Sequence, residues 1–150
     1  MNNRDVFVAI FVTILMSSCA AGPPQKLQTN DPRPCAQNFT YDGSILIGRT
    51  FKTNESIAGV SKTVAIERAA KKIAKEGMSI TTIDKDMGIV SASQTVSYGK
   101  GQTAPLTVSI DSVKNGVDVS IAFSISGGET TSVDTAKDFF CDITGAIAGK

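Results

Sequence analysis

The stretch that decides the fold is residues 106–125, LTVSIDSVKNGVDVSIAFSI, in which apolar and polar residues alternate on both sides of Asn115-Gly116. Asn-Gly between two alternating runs is the strongest short signal for a β-hairpin. A two-residue turn at Asn115-Gly116 pairs Ser112 with Val119, Ile110 with Ile121, Val108 with Phe123 and Leu106 with Ile125. The apolar pairs share one face, while Asp111, Ser109, Asp118, Ser120 and Ser124 take the other. Because the side-chain period of a strand is two, this pattern demands a sheet with one buried face.

Working outward, Met78–Ile83 and Gly88–Val96 read as a second hairpin turning through Asp84-Lys85-Asp86-Met87-Gly88, residues suited to tight turns. Before it, Ile66, Ala69, Ala70, Ile73 and Ala74 recur at helical spacing, with Arg68, Lys71, Lys72 and Lys75 elsewhere on the same helix, and Gly77 is a natural stop. After the central hairpin, Gly127-Gly128 ends the strand, and Ser132 can cap a helix carrying Val133, Ala136, Phe140, Ile143 and Ile147 on one stripe. A first strand is expected over Tyr41–Lys52, where Ile45, Ile47 and Phe51 alternate with polar residues. The expectation is an α+β two-layer sandwich of order β-α-β-β-β-β-α. Its antiparallel sheet would have four to five strands with two helices on one face.

The N-terminal part of the chain, outside this pattern, is different in kind. Met1–Arg4 is a charged head, Val6–Met16 is an apolar run of eleven residues, and Ser17-Ser18-Cys19 follows. At about 1.5 Å per residue the run covers roughly 17 Å, short of the roughly 30 Å hydrocarbon core, so it reads as a secretory signal and not a spanning helix. Leu15-Met16-Ser17-Ser18-Cys19 resembles the lipobox of bacterial lipoproteins, with Met16 in place of the more usual leucine. The resemblance implies that residues 1–18 are removed and Cys19 is lipidated. Ala20 after the cysteine implies an anchor in the outer membrane, facing the periplasm. An ordinary cleaved signal with Cys19 as a bystander is the plainer alternative.

Residues 19–38 hold Pro23, Pro24, Pro32 and Pro34, four of the five prolines, and are expected to form an extended tether without regular structure. Residues 39–150 then make a single domain. In an oxidising compartment Cys35 and Cys141 are a candidate disulfide that would fasten the end of the tether to the last helix. The alternative is a buried Cys141 and a free Cys35 thiol.

The helix ending at Gly77, the alternating Ile80 and Ile83, and the turn from Asp84 to Gly88-Ile89-Val90 resemble the helix-grip domains of BamC-like outer-membrane lipoproteins. The chain differs from them in having no tryptophan in the helix, one domain in place of two, and a shorter tether. The resemblance implies an accessory role in the envelope, by analogy of fold alone.

Composition narrows the functions further. Lys+Arg 15 against Asp+Glu 14 gives a net charge of +1, which offers little for a phosphate backbone, and nucleic acid is not an expected partner. Histidine, the commonest general base, is absent. Asp84-x-Asp86-x-Gly88 has the wrong spacing for a calcium loop, so it reads as a turn, and no metal is expected. Gly99-Lys100-Gly101-Gln102-Thr103 lacks the spacing of a phosphate cradle and reads as a link between strands. Ser61 beside Lys62 reads as a helix cap, since adjacent helical residues do not face one another. No cofactor and no catalytic constellation are expected.

Two functions stay open. One is a non-catalytic module, held to the membrane by lipid on Cys19, that binds an envelope protein through the sheet surface or the basic face Arg68, Lys71, Lys72 and Lys75. The other is a periplasmic carrier of a small apolar ligand or lipid held between helices and sheet, with Ile66, Ile73, Phe123, Phe140 and Ile147 lining the cavity.

Overall fold

The computed structural model describes residues 23–96 and 102–150. Seven strands form one antiparallel sheet: β1 (Gln25–Lys26), β2 (Thr40–Ser44), β3 (Gly48–Ala58), β4 (Ser79–Asp84), β5 (Ile89–Thr95), β6 (Thr103–Val113) and β7 (Gly116–Ser126). Their order across the sheet is β1-β2-β3-β7-β6-β5-β4. Three helices accompany them, α1 (Pro34–Gln37), α2 (Lys62–Lys75) and α3 (Val133–Ala148). The α+β class and the antiparallel sheet agree with the sequence reading. The sheet is larger than the four to five strands expected, and there is a third, short helix.

The central hairpin sorts its faces as the alternation requires. Ala104, Leu106, Val108 and Ile110 on β6 and Val117, Val119, Ile121, Phe123 and Ile125 on β7 are buried. Its register, however, is shifted by two residues: Ile110 faces Val119, Val108 faces Ile121 and Leu106 faces Phe123. The turn residues are therefore Lys114-Asn115, and Gly116 begins β7 opposite Val113. The reason lies in the neighbouring strand. Gly116 also pairs with Ala58 of β3, and a Cβ there would collide with the Ile57 carbonyl oxygen. The glycine answers a close approach between strands instead of a turn. A slip of two preserves which residues share a face, so the pattern alone could not detect it.

α2 begins at Ser61, whose hydroxyl accepts from the Val64 N–H at 3.4 Å, and Gly77 follows its end with φ +81°. α3 is capped by Ser132, which accepts from the Thr135 N–H at 3.0 Å. Both pack on the same face, α3 over β3 and α2 over the β4 to β7 side, and against each other. Ala65, Ile66, Ala69 and Ile73 of α2 and Ala136, Phe140, Ile143 and Ile147 of α3 enter the common core. Phe39, Phe51 and Phe123 form a chain of aromatic contacts with Phe139 and Phe140 of α3, with ring centroids 5.6–6.4 Å apart. Aromatic pairs at such separations contribute beyond their buried area.

Two sequence expectations fail on the N-terminal flank. The strand expected over Tyr41–Lys52 is a hairpin, with a turn at Ile45-Leu46-Ile47 between β2 and β3. Gly43 and Gly48 frame it with φ +84° and +104°, conformations that other residues rarely adopt. The Pro-rich segment expected to lack regular structure contains β1 and α1. β1 pairs with β2, and Pro34 occupies the start of α1, where the missing N–H costs nothing. Cys35 and Ala36 in α1 are buried, and the Thr53 hydroxyl donates to the Cys35 carbonyl at 2.6 Å. Arg33 bridges Asp31 at 2.6 Å and Asp138 of α3 at 2.9 Å. At least from Gln25 onward, this segment is part of the domain.

Candidate functional site

Cys35 and Cys141 form a disulfide, with Cα atoms 5.3 Å apart and a sequence separation of 106. α1 supplies one cysteine and α3 the other, and the two halves of the bridge are buried with Ala36 in a small cluster of their own. This joins the N-terminal segment to the last helix across nearly the whole domain. Cys19 and the signal-like residues 1–18 lie outside the described residues, as do Gly99, Lys100 and Gly101.

The four basic residues of α2 do not act together. Arg68 donates from Nη1 to the Ile147 carbonyl at 2.8 Å, meeting an otherwise open C-terminal carbonyl of α3. Lys72 pairs with Glu76 at 2.6 Å and with Asp142 of α3 at 3.1 Å. The hydrogen bond to Glu76, opposed by partial desolvation and reinforced by Asp142, holds the Lys72 ammonium above its usual pKa. Arg68 and Lys72 thus fasten α2 to α3. Lys71 and Lys75 are exposed and make no ion pair with a described residue, so only half of the basic face is free to meet a partner.

Other candidates take local roles. Asp84 accepts from the Met87 N–H at 2.8 Å through its side chain and from the Gly88 N–H at 2.9 Å through its carbonyl, which is turn chemistry. Lys62, beside the capping Ser61, donates to the Asp86 carbonyl at 2.7 Å. Of the five residues expected around a ligand cavity, Ile66, Ile73, Phe140 and Ile147 are buried in the packed core and line no groove, while Phe123, also buried, borders two grooves at the end of the sheet.

Two regions remain with the concavity a binding site needs. The first is a groove of about 610 Å³ where β5, β6 and β7 end beneath the β7–α3 loop, lined by Gln94, Thr95, Gln102, Phe123, Ile125 and Glu129 among others. A smaller one of about 190 Å³ shares Gln94, Phe123 and Thr131 with it and continues beside Phe139. Glu129 is buried; its Oε2 accepts from the Ser126 N–H at 2.9 Å, and its Oε1 has no hydrogen-bond partner. Nothing local in the sequence marks Glu129 as buried, since Glu129-Thr130-Thr131 reads as an ordinary polar loop.

The second region is a shallow groove of about 360 Å³ on the face of the sheet away from the helices, lined by Thr40, Lys52, Asn54, Thr107, Ser109 and Ser120 among others. Short hydroxyl side chains leave the backbone of that face within reach of a partner and offer donors and acceptors without bulk. The alternation of the central hairpin already assigned Ser109 and Ser120 to it.

Among the described residues no three His, Cys, Asp or Glu side chains gather as a metal set, and no helix is long and apolar enough to cross a membrane. No known protein family matches the chain, and no curated protein does.

Proposed function

We propose that this protein is a non-catalytic binding module of the bacterial cell envelope, held by lipid on Cys19 at the periplasmic side of the outer membrane. The observation that carries the reading is the Cys35–Cys141 disulfide. Structural disulfides are rare outside oxidising compartments, which supports export, and the bridge leaves Cys19, at the end of the lipobox-like segment, as the one remaining cysteine. The partner is an envelope protein, and the hydroxyl-rich outer face of the sheet is the better surface for it, because Arg68 and Lys72 are engaged with α3. The likeness to BamC-like lipoproteins supports the envelope setting but not a particular partner.

The intact mass of the mature protein tests this. Cleavage before Cys19 with added acyl chains is the expected result. A mature chain that carries no acyl chain would sink the reading. The groove beside Glu129 favours a second reading, a ligand carrier. Its glutamine, threonine and carboxylate lining suits a ligand with hydrogen-bond donors better than a purely apolar one. Native mass spectrometry of protein purified from its own envelope distinguishes the two: a bound small molecule supports the carrier.

A further inference from the structure

The turn between β2 and β3 places three consecutive aliphatic side chains outside the core: Ile45 is 49% exposed, Leu46 87% and Ile47 79%. Isolated exposed aliphatics are ordinary, but a contiguous group at one projecting point marks an interaction site. The point is held in place. The Gly128 N–H donates to the Ile45 carbonyl at 2.8 Å, and Gly127 packs so closely on the Leu46 carbonyl that a Cβ would collide with it. The Ile45 carbonyl therefore has its partner within the protein, which lowers the cost of moving the turn out of water.

The path of the chain decides what covers this point. Gln25 pairs with Tyr41 and Lys26 with Thr40, antiparallel, so the direction of β1, followed back through Pro24 and Pro23, heads past Asp42 and Gly43 toward the Ile45-Leu46-Ile47 turn. Pro23 and Pro24 therefore leave the sheet at the same end as the exposed aliphatics. Cys19 precedes Pro23 by four residues, which span at most about 14 Å when fully extended. An acyl chain on Cys19 brings this end of the sheet to the bilayer. The opposite end, with the Lys114-Asn115 turn, faces away.

We infer that Ile45, Leu46 and Ile47 insert into the head-group layer of the membrane to which Cys19 is anchored, so that the domain stands on this end of its sheet. The inference rests on the lipid-anchor reading above and adds an orientation to it. Three uncharged aliphatics in sequence suit the boundary between head groups and acyl chains. Arg49, just behind the turn, is half-buried, and its Nε is itself buried without a hydrogen-bond partner, so the three aliphatics and the path of the chain carry the inference. The orientation leaves the outer sheet face and Lys71 and Lys75 open laterally to partners.

The test uses the full-length acylated protein in vesicles of phosphatidylethanolamine and phosphatidylglycerol that contain nitroxide-labelled lipid. An environment-sensitive fluorophore is placed on Leu46→Cys or, as the reference, on Asn115→Cys; the disulfide and the acyl chains leave the new thiol as the reactive one. Emission at position 46 should shift to the blue and be quenched several-fold more strongly than at position 115. Adding Ile45→Asn and Ile47→Asn should abolish that difference without moving the melting temperature. Equal, weak quenching at both positions in protein whose mass shows acylated Cys19 overturns the insertion while the anchor stands. Blue-shifted emission at position 46 that lipid nitroxide does not quench, and that grows with protein density, assigns the turn to a second copy and also overturns it. Absence of acyl chains on Cys19 removes the anchor and the insertion together.

Discussion

The β6–β7 hairpin and the β2–β3 hairpin lie on either side of the same seam, since β3 and β7 are neighbours, yet they are built on different grounds. β6 and β7 are each eleven residues long and alternate buried and exposed side chains through most of that length. Their position follows from burial of one face. β2 has only five residues, none of them buried, and its hairpin is held by glycine conformations, by the Gly127-Gly128 backbone, and by α1 and the disulfide behind it. Alternation places a strand when a face pays its ordering entropy through burial. Where a short strand such as β2 is held by backbone contacts and a covalent bond, alternation predicts the wrong thing, and Ile45 and Ile47 stay outside.

The largest expected effect on this contrast is removal of the bridge. Replacing both Cys35 and Cys141 with alanine should cost about 2–5 kcal/mol in denaturant unfolding, since the cross-link closes a long loop. Hydrogen exchange in that variant should rise first in residues 25–44, with β6 and β7 still protected. Uniform exchange over the whole sheet would show that the two flanks are one cooperative unit and would break the comparison.

Gly116→Ala tests the seam itself. The new methyl meets the Ile57 carbonyl, and a loss of about 1–3 kcal/mol is expected, the range for forced overpacking. A loss well below this range in urea unfolding of Gly116→Ala would mean that the methyl meets no carbonyl, and the two-residue register shift would be in doubt.

Leu46→Ser should change stability by less than about 0.5 kcal/mol, as surface substitutions do, whereas equal truncation of a core side chain costs several times more. A large loss in thermal melts of Leu46→Ser would mean that the turn packs against something within the fold.

The smallest effect concerns the ion pair that joins the N-terminal segment to α3. The Arg33 side chain, helped by its backbone N–H, holds the Asp31 carboxyl down from 3.8 to about 2. A depressed carboxyl pKa contributes stability that is present above the unfolded pKa and is lost as pH falls through the folded one. The contribution should therefore be intact at pH 5 and fade between about pH 4 and pH 2. Because the group is at the surface, the change is small and weakens with salt. Carbon-detected NMR titration of Asp31 in native protein and in Arg33→Gln checks it: the midpoint should move up in the variant, and an unmoved midpoint would remove Arg33 as the cause.

What could be read from residues alone follows the same division. Ser61 and Ser132 as caps, Gly77 as a stop, the Asp84–Gly88 turn and the buried faces of β6 and β7 are all local matters of hydrogen bonding and period. The membership of the small edge elements is not local. Prolines at 23, 24, 32 and 34 are compatible with a free tether and equally with a short edge strand followed by a helix that starts on Pro34, and the choice depends on what lies beside them.

The binding surfaces divide in the same way. Ser109 and Ser120 belong to the outer face by parity alone. Arg68 and Lys72 look from the sequence like part of an open basic stripe, because nothing in α2 reveals that Ile147 and Asp142 of α3 lie within hydrogen-bond reach. Glu129 is hidden for a similar reason: its burial comes from how the β7–α3 loop folds over the end of the sheet.

By itself, then, the sequence determined the class of fold, the two long helices and the faces of the central strands. Those rest on periodicities and on short stretches whose physics is complete within a few residues. Only the tertiary structure decided the register at Gly116, the folding of residues 25–38 onto the domain, the pairing of Arg68 and Lys72 with α3, and the exposure of Ile45, Leu46 and Ile47. Each of these depends on a neighbour far away in the chain, whose distance no local pattern encodes.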